Sequence, residues 1–292
     1  MSGFDGSLGA YGFRLAYPRS TSEPLTDLVE LDLSNPLVTI RWRHASLVED
    51  REEVTAARVV FGRRGSTLFQ VDRDPPSIHF DFATPPVPGA LVHPLLTVPI
   101  SVQARWRGDL TLHAGAFEAP SGSWAIMGAR QSGKSALLAC LATRGFPVVT
   151  DDLVAVKDGQ VWAGPRCVDL RPDTAQRFDS AYRLGVVGGR VRYRLPTPAG
   201  RARSKLRGFF VLEWNDRGRV TIEPLPTQER LQWLYRQEYI GLVGAPDPNG
   251  LLPLLGLPAW RLSRPLDWEA AEEAVDRLLS TVNEPEAADS GL

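Results

Sequence analysis

Lysine, cysteine and long apolar runs are scarce in this 292-residue chain. Its two cysteines, Cys140 and Cys167, form no CxxC pair and have no histidine at zinc-ligand spacing. Neither a disulfide scaffold nor a structural zinc is therefore expected. The longest apolar stretch, Leu91 to Ala104, is interrupted by His93, Pro94, Pro99 and Gln103. It falls short of the roughly 20 residues a helix needs to cross a bilayer. From Met1 to Tyr17 no basic region leads into an apolar run, so the expectation is no signal peptide and a cytoplasmic address. No charge sign dominates either: 33 Lys+Arg against 34 Asp+Glu leave a net charge of -1. A nucleic-acid or anionic-membrane partner needs a basic surface, and neither is expected here. Among the basic residues only Lys134, Lys157 and Lys205 are lysines, which makes each position worth inspecting.

What is present is apolar mass, 43% of residues, enough for one large core or two modest ones. Up to residue 88 the chain shows short β-branched and aromatic runs, such as 38–42, 58–61, 67–71 and 77–82, separated by Gly, Pro and Asp. These predict a β-rich N-terminal lobe. The Pro-rich stretch Ala83 to Gly89 is the expected join to a second domain, residues 89–283, with 284–292 a small, acidic, flexible tail. In the second domain strand-like and helix-like segments alternate, which predicts an α/β fold. Helices are expected from Gly133 to Arg144, from Thr227 to Glu238 and from Asp267 to Val282, with a hairpin at Gly188-Gly189.

The sharpest signal is Gly128-Ala129-Arg130-Gln131-Ser132-Gly133-Lys134-Ser135, followed by Ala136, set between a predicted strand and a predicted helix. In that setting backbone N–H groups and the helix dipole surround a phosphate. Lys134 then reaches the outer phosphates, and the Ser135 hydroxyl serves a Mg²⁺ ion bridging them. The second signal is Val148-Val149-Thr150-Asp151-Asp152, a short strand ending in two carboxylates. One helix returning to one strand brings that end beside the loop, within reach of both the metal and a hydroxyl near the terminal phosphate. The third is His113, placed by an expected hairpin to face the same site. Arg201, Arg203 and Lys205, in a Gly/Pro-flanked stretch, are candidates for a loop closing over phosphates or an anionic peptide, and Arg130 is a further candidate. The aromatic cluster Trp233, Tyr235 and Tyr239 reads as core or interface.

Taken together, Leu112-His113-Ala114, the loop Gly128 to Ser135, the Arg144-Gly145 helix end and Thr150-Asp151-Asp152 resemble the HPr serine kinase/phosphorylase family, over roughly residues 90 to 225. The resemblance implies a P-loop nucleotide core like that of phosphoenolpyruvate carboxykinase. It implies ATP and Mg²⁺ as cofactors, Asp151 as the base on a serine hydroxyl, Asp152 as a magnesium ligand and His113 in the pocket. A glutamate follows the G-K-S of the bifunctional enzymes where this chain has Ala136, and no Arg-Pro-Gly-Arg type loop is found here. The resemblance is therefore to the smaller kinases of peptide natural-product clusters, such as those of lasso peptides. It implies a serine of a precursor peptide or protein as acceptor, and possible homo-oligomers. The same core also suits kinase action on a small hydroxylated molecule, or a nucleotide-binding regulator without transfer.

Overall fold

The computed structural model describes residues 6–17, 25–45, 49–62, 67–84, 86–87, 89–216, 218–238 and 248–283. Tyr239 and the expected tail lie outside them. The N-terminal lobe is an eight-stranded sheet containing Leu37–His44, Ser77–Phe82, Thr67–Asp72 and Arg58–Gly62 in adjacent positions. Ser77–Phe82 alternates half-buried and buried residues along its whole length, as the period-2 pattern requires. Its Ile78, Phe80 and Phe82 point inward.

The core of this lobe continues past the expected join at residue 88. Leu91, Val92, Leu96, Ile100, Val102 and Ala104 pack in the same apolar cluster as Val38, Ile40, Phe69 and Phe80. The last three lie on the helix Thr97–Arg107, whose Gln103 donates from Nε2 to Asp72 O at 2.8 Å. By packing, therefore, this helix belongs with the N-terminal sheet. The interrupted apolar stretch is thus a broken helical segment covering a sheet. No helix among the described residues is long and apolar enough to cross a membrane.

The second sheet carries the site. Gly122–Gly128 pairs antiparallel with Gly115–Ala119 and parallel with the twelve-residue strand Arg203–Trp214, which in turn pairs parallel with Ala259–Arg264. Arg203–Trp214 begins within the Gly/Pro-flanked stretch expected to be a mobile loop: Lys205 pairs with Gln160 and Arg203 with Trp162. A third sheet of three strands, in the order Cys167–Leu170, Arg190–Pro196, Tyr182–Val187, stands beside it.

The helix Lys134–Thr143 follows the strand Gly122–Gly128 and ends where Gly145 takes φ +86°, the left-handed stop that glycine makes cheaply. Nearly every side chain from Leu137 to Ala142 is buried. The reason is a second cover, the helix Trp268–Asn283, whose Ala271, Ala274, Val275 and Leu278 form the apolar stripe of an amphipathic helix. Arg144 fastens the two helices, donating to Glu272 Oε2 at 2.6 Å and to Asp276. Burial of Leu137, Leu138 and Leu141 contributes roughly 1.5–3 kcal/mol each. That anchors the helix whose first turn forms the site.

Candidate active site

The segment from Gly128 to Ser135 leaves the sheet and turns into the helix through three residues of positive φ, Gly128, Gln131 and Gly133. At Gly133 a Cβ would come within 2.6 Å of Arg264 Nη2 and 3.2 Å of the Trp214 ring, so both the backbone angle and the space demand glycine. Trp214 donates from its indole to Gln131 O at 3.2 Å and braces the loop from outside. Lys134 lies over the loop, its Nζ donating to Gly128 O at 2.9 Å and Ala129 O at 3.3 Å. Burial lowers its pKa, against the opposing pull of Asp152 and Asp151. The Ser132 hydroxyl is buried without a hydrogen-bond partner among the described residues. A loop of this shape, an ammonium above it and an orphaned hydroxyl within it fit a polyphosphate.

The two carboxylates at the end of Val148–Thr150 have different surroundings. Asp151 is buried, accepting from Ser135 Oγ at 2.8 Å on Oδ1 and from the Asp169 N–H at 3.1 Å on Oδ2. Asp152 has a side chain 42% exposed, lines the cleft and pairs with His113, whose Nδ1 is 3.5 Å from Oδ1. The expectation placed Ser135 with Asp152; the structure places it with Asp151. Successive residues at a strand end point to opposite sides, and here the first acid turns behind the loop while the second faces the cleft. His113 stands just after the strand Leu110–Leu112, its backbone N–H donating to Gln237 O at 2.6 Å and its ring meeting Asp152. Gly115–Ala119 and Gly122–Gly128 form the expected hairpin behind it.

One cleft of about 750 Å³ is lined by His113, Lys134, Ser135, Ala136 and Asp152 together, with Asp151 buried behind its wall. That size suits a ligand of nucleotide class. Among the described residues no three His, Cys, Asp or Glu side chains gather as a self-sufficient metal cage. Mg²⁺ ordinarily takes one or two carboxylates together with substrate phosphates, so Ser135 and the Asp151 beside it fit that ion.

Arg201 and Arg203 are not in this cleft. Arg201 is held by Glu118 at 3.1 Å, and the Arg203 guanidinium lies 4.6 Å from the Trp162 ring. The cleft is instead bordered by Arg130, Arg171, Arg190, Arg192 and Arg264. Of the aromatic cluster, Trp233 packs partly against the core while Tyr235 is exposed, and neither lines the cleft. Both cysteines are buried and unbonded, and burial pushes the Cys140 thiol up to about 12, which removes thiolate chemistry.

Sequence reasoning missed Arg264. It is 2% exposed and lies over the Trp214 ring; among the described residues its Nε has no hydrogen-bond partner and its Nη1 reaches the Pro265 and Asp267 carbonyls at 3.4 and 3.5 Å. Burial lowers its pKa, the mark of a cation short of compensation. Next to Gly133, such a group is placed for an anion on the loop. Arg264→Met is therefore expected to weaken ATP binding by about ten- to hundredfold, with Tm unchanged or raised because a costly buried charge disappears. Calorimetric titration with thermal unfolding checks this; lower stability with unchanged binding would make Arg264 structural.

His93, buried behind Asp151, lies 3.7 Å from Asp151 Oδ2 and 3.9 Å from Asp169 Oδ2. Burial opposes its charge, but Asp151, Asp169 and Asp152 together outweigh that and raise its pKa. A histidine whose folded pKa lies above its unfolded value stabilises fully below the unfolded pKa, near 6.5, and loses that contribution as pH rises through the folded value. Without Mg²⁺, wild-type Tm should fall relative to His93→Gln as pH is raised from about 6 to about 8. Parallel Tm profiles would refute the coupling.

No family model matches the chain, and no curated protein matches it. Among solved structures it is similar to the Hpr(Ser) kinase/phosphatase from Coxiella burnetii, with 13% identity and a TM-score of 0.30, over 59% of this chain and 97% of that one. At that degree of likeness, the functional reading stands on the residues of this chain alone.

Proposed function

We propose that the protein transfers the γ-phosphoryl group of ATP to a serine hydroxyl of a peptide or protein, and that its acceptor is of the precursor-peptide class to which the sequence resemblance points. The observation that carries this reading is the division of labour between the two acids around one loop. Asp151 is tied to Ser135 at 2.8 Å, while Asp152 faces the cleft beside His113. Ser135 and Asp151 would hold Mg²⁺, which when bound neutralises charge on the outer phosphates. Lys134 and the loop N–H groups orient those phosphates, and Arg264 adds positive charge where the terminal phosphate develops it.

Asp152 accepts the proton of the acceptor hydroxyl as the new O–P bond forms and the bond to the ADP oxygen breaks. His113 fixes the orientation of Asp152. This assignment exchanges the roles that the family resemblance implies for Asp151 and Asp152. It follows from access, since Asp151 already accepts two hydrogen bonds in a buried place and Asp152 is open to a substrate.

Intact-mass analysis tests the reading, with candidate precursor peptides, an HPr-like protein and small hydroxylated molecules each incubated with ATP and Mg²⁺. Phosphate gained on a peptide serine supports it. Transfer only to small molecules moves the acceptor class, and ATP binding without any transfer overturns the kinase reading in favour of a nucleotide-binding regulator.

A further inference from the structure

The strand Arg190–Pro196 carries Arg190, Arg192 and Arg194 at alternate positions, hence on one face. Their surroundings change stepwise along it. Arg194 is fully buried and bonded to Asp169 at 3.0 Å, and Arg192 is partly buried with Nη1 3.7 Å from Asp169 Oδ2. Arg190 is exposed at the cleft and makes no ion pair among the described residues. Arg171 follows Cys167–Leu170, the neighbouring strand, and is likewise exposed on the cleft wall. The innermost arginine is spoken for by the fold, Arg192 shares Asp169 more loosely, and Arg190 and Arg171 make no ion pair among the described residues.

Strand geometry supplies a ruler. Arg194 is opposite Asp169, whose N–H bonds Asp151 beside the loop. At about 3.3 Å per residue, Arg190 is displaced roughly 13 Å along the strand from that level. This sets its backbone apart from the level of Asp169 and Asp151, on the wall of the same cleft. Arg190 and Arg192 are spaced about 6.6 Å apart, the repeat of same-side residues in an extended peptide.

Resting on the kinase reading above, we infer that the acceptor is an acidic peptide segment, bound extended, whose carboxylates at alternate positions beside the serine pair with Arg190, Arg192 and Arg171. Charge at such a rim selects partners and speeds encounter more than it adds affinity. It also leaves Lys134, Arg264 and the loop to the nucleotide.

The test uses the full chain and two labelled serine peptides, identical except for Asp or Asn at alternate flanking positions, followed by fluorescence anisotropy. The Asp peptide is expected to bind roughly five- to tenfold more tightly, an advantage that shrinks as salt rises. Arg190→Gln and Arg171→Gln should each cut that preference, with ATP affinity unchanged. Equal binding of the two peptides, a preference indifferent to both variants, or loss of ATP affinity in them would overturn the inference. So would displacement of the Asp peptide by free glycerate or phosphoglycerate at equal concentration, which would assign the arginines to a small anionic acceptor. Phosphate transfer, measured in parallel, separates the two readings: acid-selective binding without transfer keeps the acidic-peptide site and sinks the kinase, and with it the peptide's role as acceptor. Transfer without acid selectivity does the reverse.

Discussion

Asp152→Asn is expected to lower phosphoryl transfer by about 10²–10⁴-fold, the usual worth of a positioned general base, while ATP and Mg²⁺ bind as in wild type. The amide keeps the shape of the side chain and can still meet His113, but it cannot take a proton. Asp151→Asn should act differently. It removes the charge beside Ser135 and leaves the Asp169 N–H and the Ser135 hydroxyl facing a weaker acceptor. The Mg²⁺ concentration needed for half-maximal rate should then rise by about tenfold or more, and saturating Mg²⁺ should restore part of the rate. Two titrations decide the matter: rate against Mg²⁺ for each variant, and ATP binding at fixed Mg²⁺. If Asp151→Asn loses transfer with unchanged Mg²⁺ dependence and Asp152→Asn becomes Mg²⁺-hungry, the assignment implied by the family resemblance is right and the one drawn from burial is wrong.

The parts of the site written in contiguous sequence were legible. Gly128 to Ser135 needs only a strand before it and a helix after it, and both are local properties of the chain. The acid pair was legible for the same reason, and period-2 alternation gave Ser77–Phe82. The roles of the two acids were not, because alternation at a strand end says that Asp151 and Asp152 diverge without saying which one turns behind the loop. The arginines were the main failure. In a chain with so few lysines, arginine is the default cation, and Arg264 acquires its meaning only from Gly133 in the loop and Trp214 at the end of another strand. Arg201 and Arg203 were chosen because Gly and Pro flank them; the long strand Arg203–Trp214 starts there and commits them to Glu118 and Trp162. One usable pattern was present. Arg190, Arg192 and Arg194 alternate directly after Gly188-Gly189, an unusual charge for one face of a strand, and that face runs from the interior to the cleft. The join at residue 88 failed because proline marks a change of direction, whereas the lobe continues until its sheet is covered.

The largest effect on stability is expected at Arg194, where Arg194→Met should cost about 3–5 kcal/mol. No part of this side chain reaches solvent. Its Nε and Nη2 donate to Asp169 Oδ1 at 3.1 and 3.0 Å, Nη1 reaches Asp27 Oδ2 at 3.4 Å and Gly89 O at 3.0 Å, and Nη2 also bonds His93 O. One guanidinium thus ties the N-terminal lobe, the segment joining the lobes and the strand behind Asp151. The approach is close enough to dictate Gly89, where φ is +75° and a Cβ would lie 2.8 Å from Nη1. Burial alone would lower the pKa of Arg194; the surrounding acids more than reverse that and raise it, so its charge is fixed at every working pH. Replacing it with methionine fills similar space but leaves the Asp169 carboxylate, 1% exposed, with only the looser contacts of Arg192 at 3.7 Å and His93 at 3.9 Å among the described residues. At about 2–4 °C per kcal/mol for a chain approaching this size, Tm should fall by roughly 10 °C. The source of the loss can be isolated with a double variant. If the cost is the stranded charge, Asp169→Asn in the Arg194→Met background should recover part of it, whereas a loss caused by missing ties between the lobes would be deepened by the second change. Thermal unfolding of the two single variants and the double variant measures that coupling, and its sign determines whether Arg194 serves chiefly to neutralise Asp169 or to join the lobes around it.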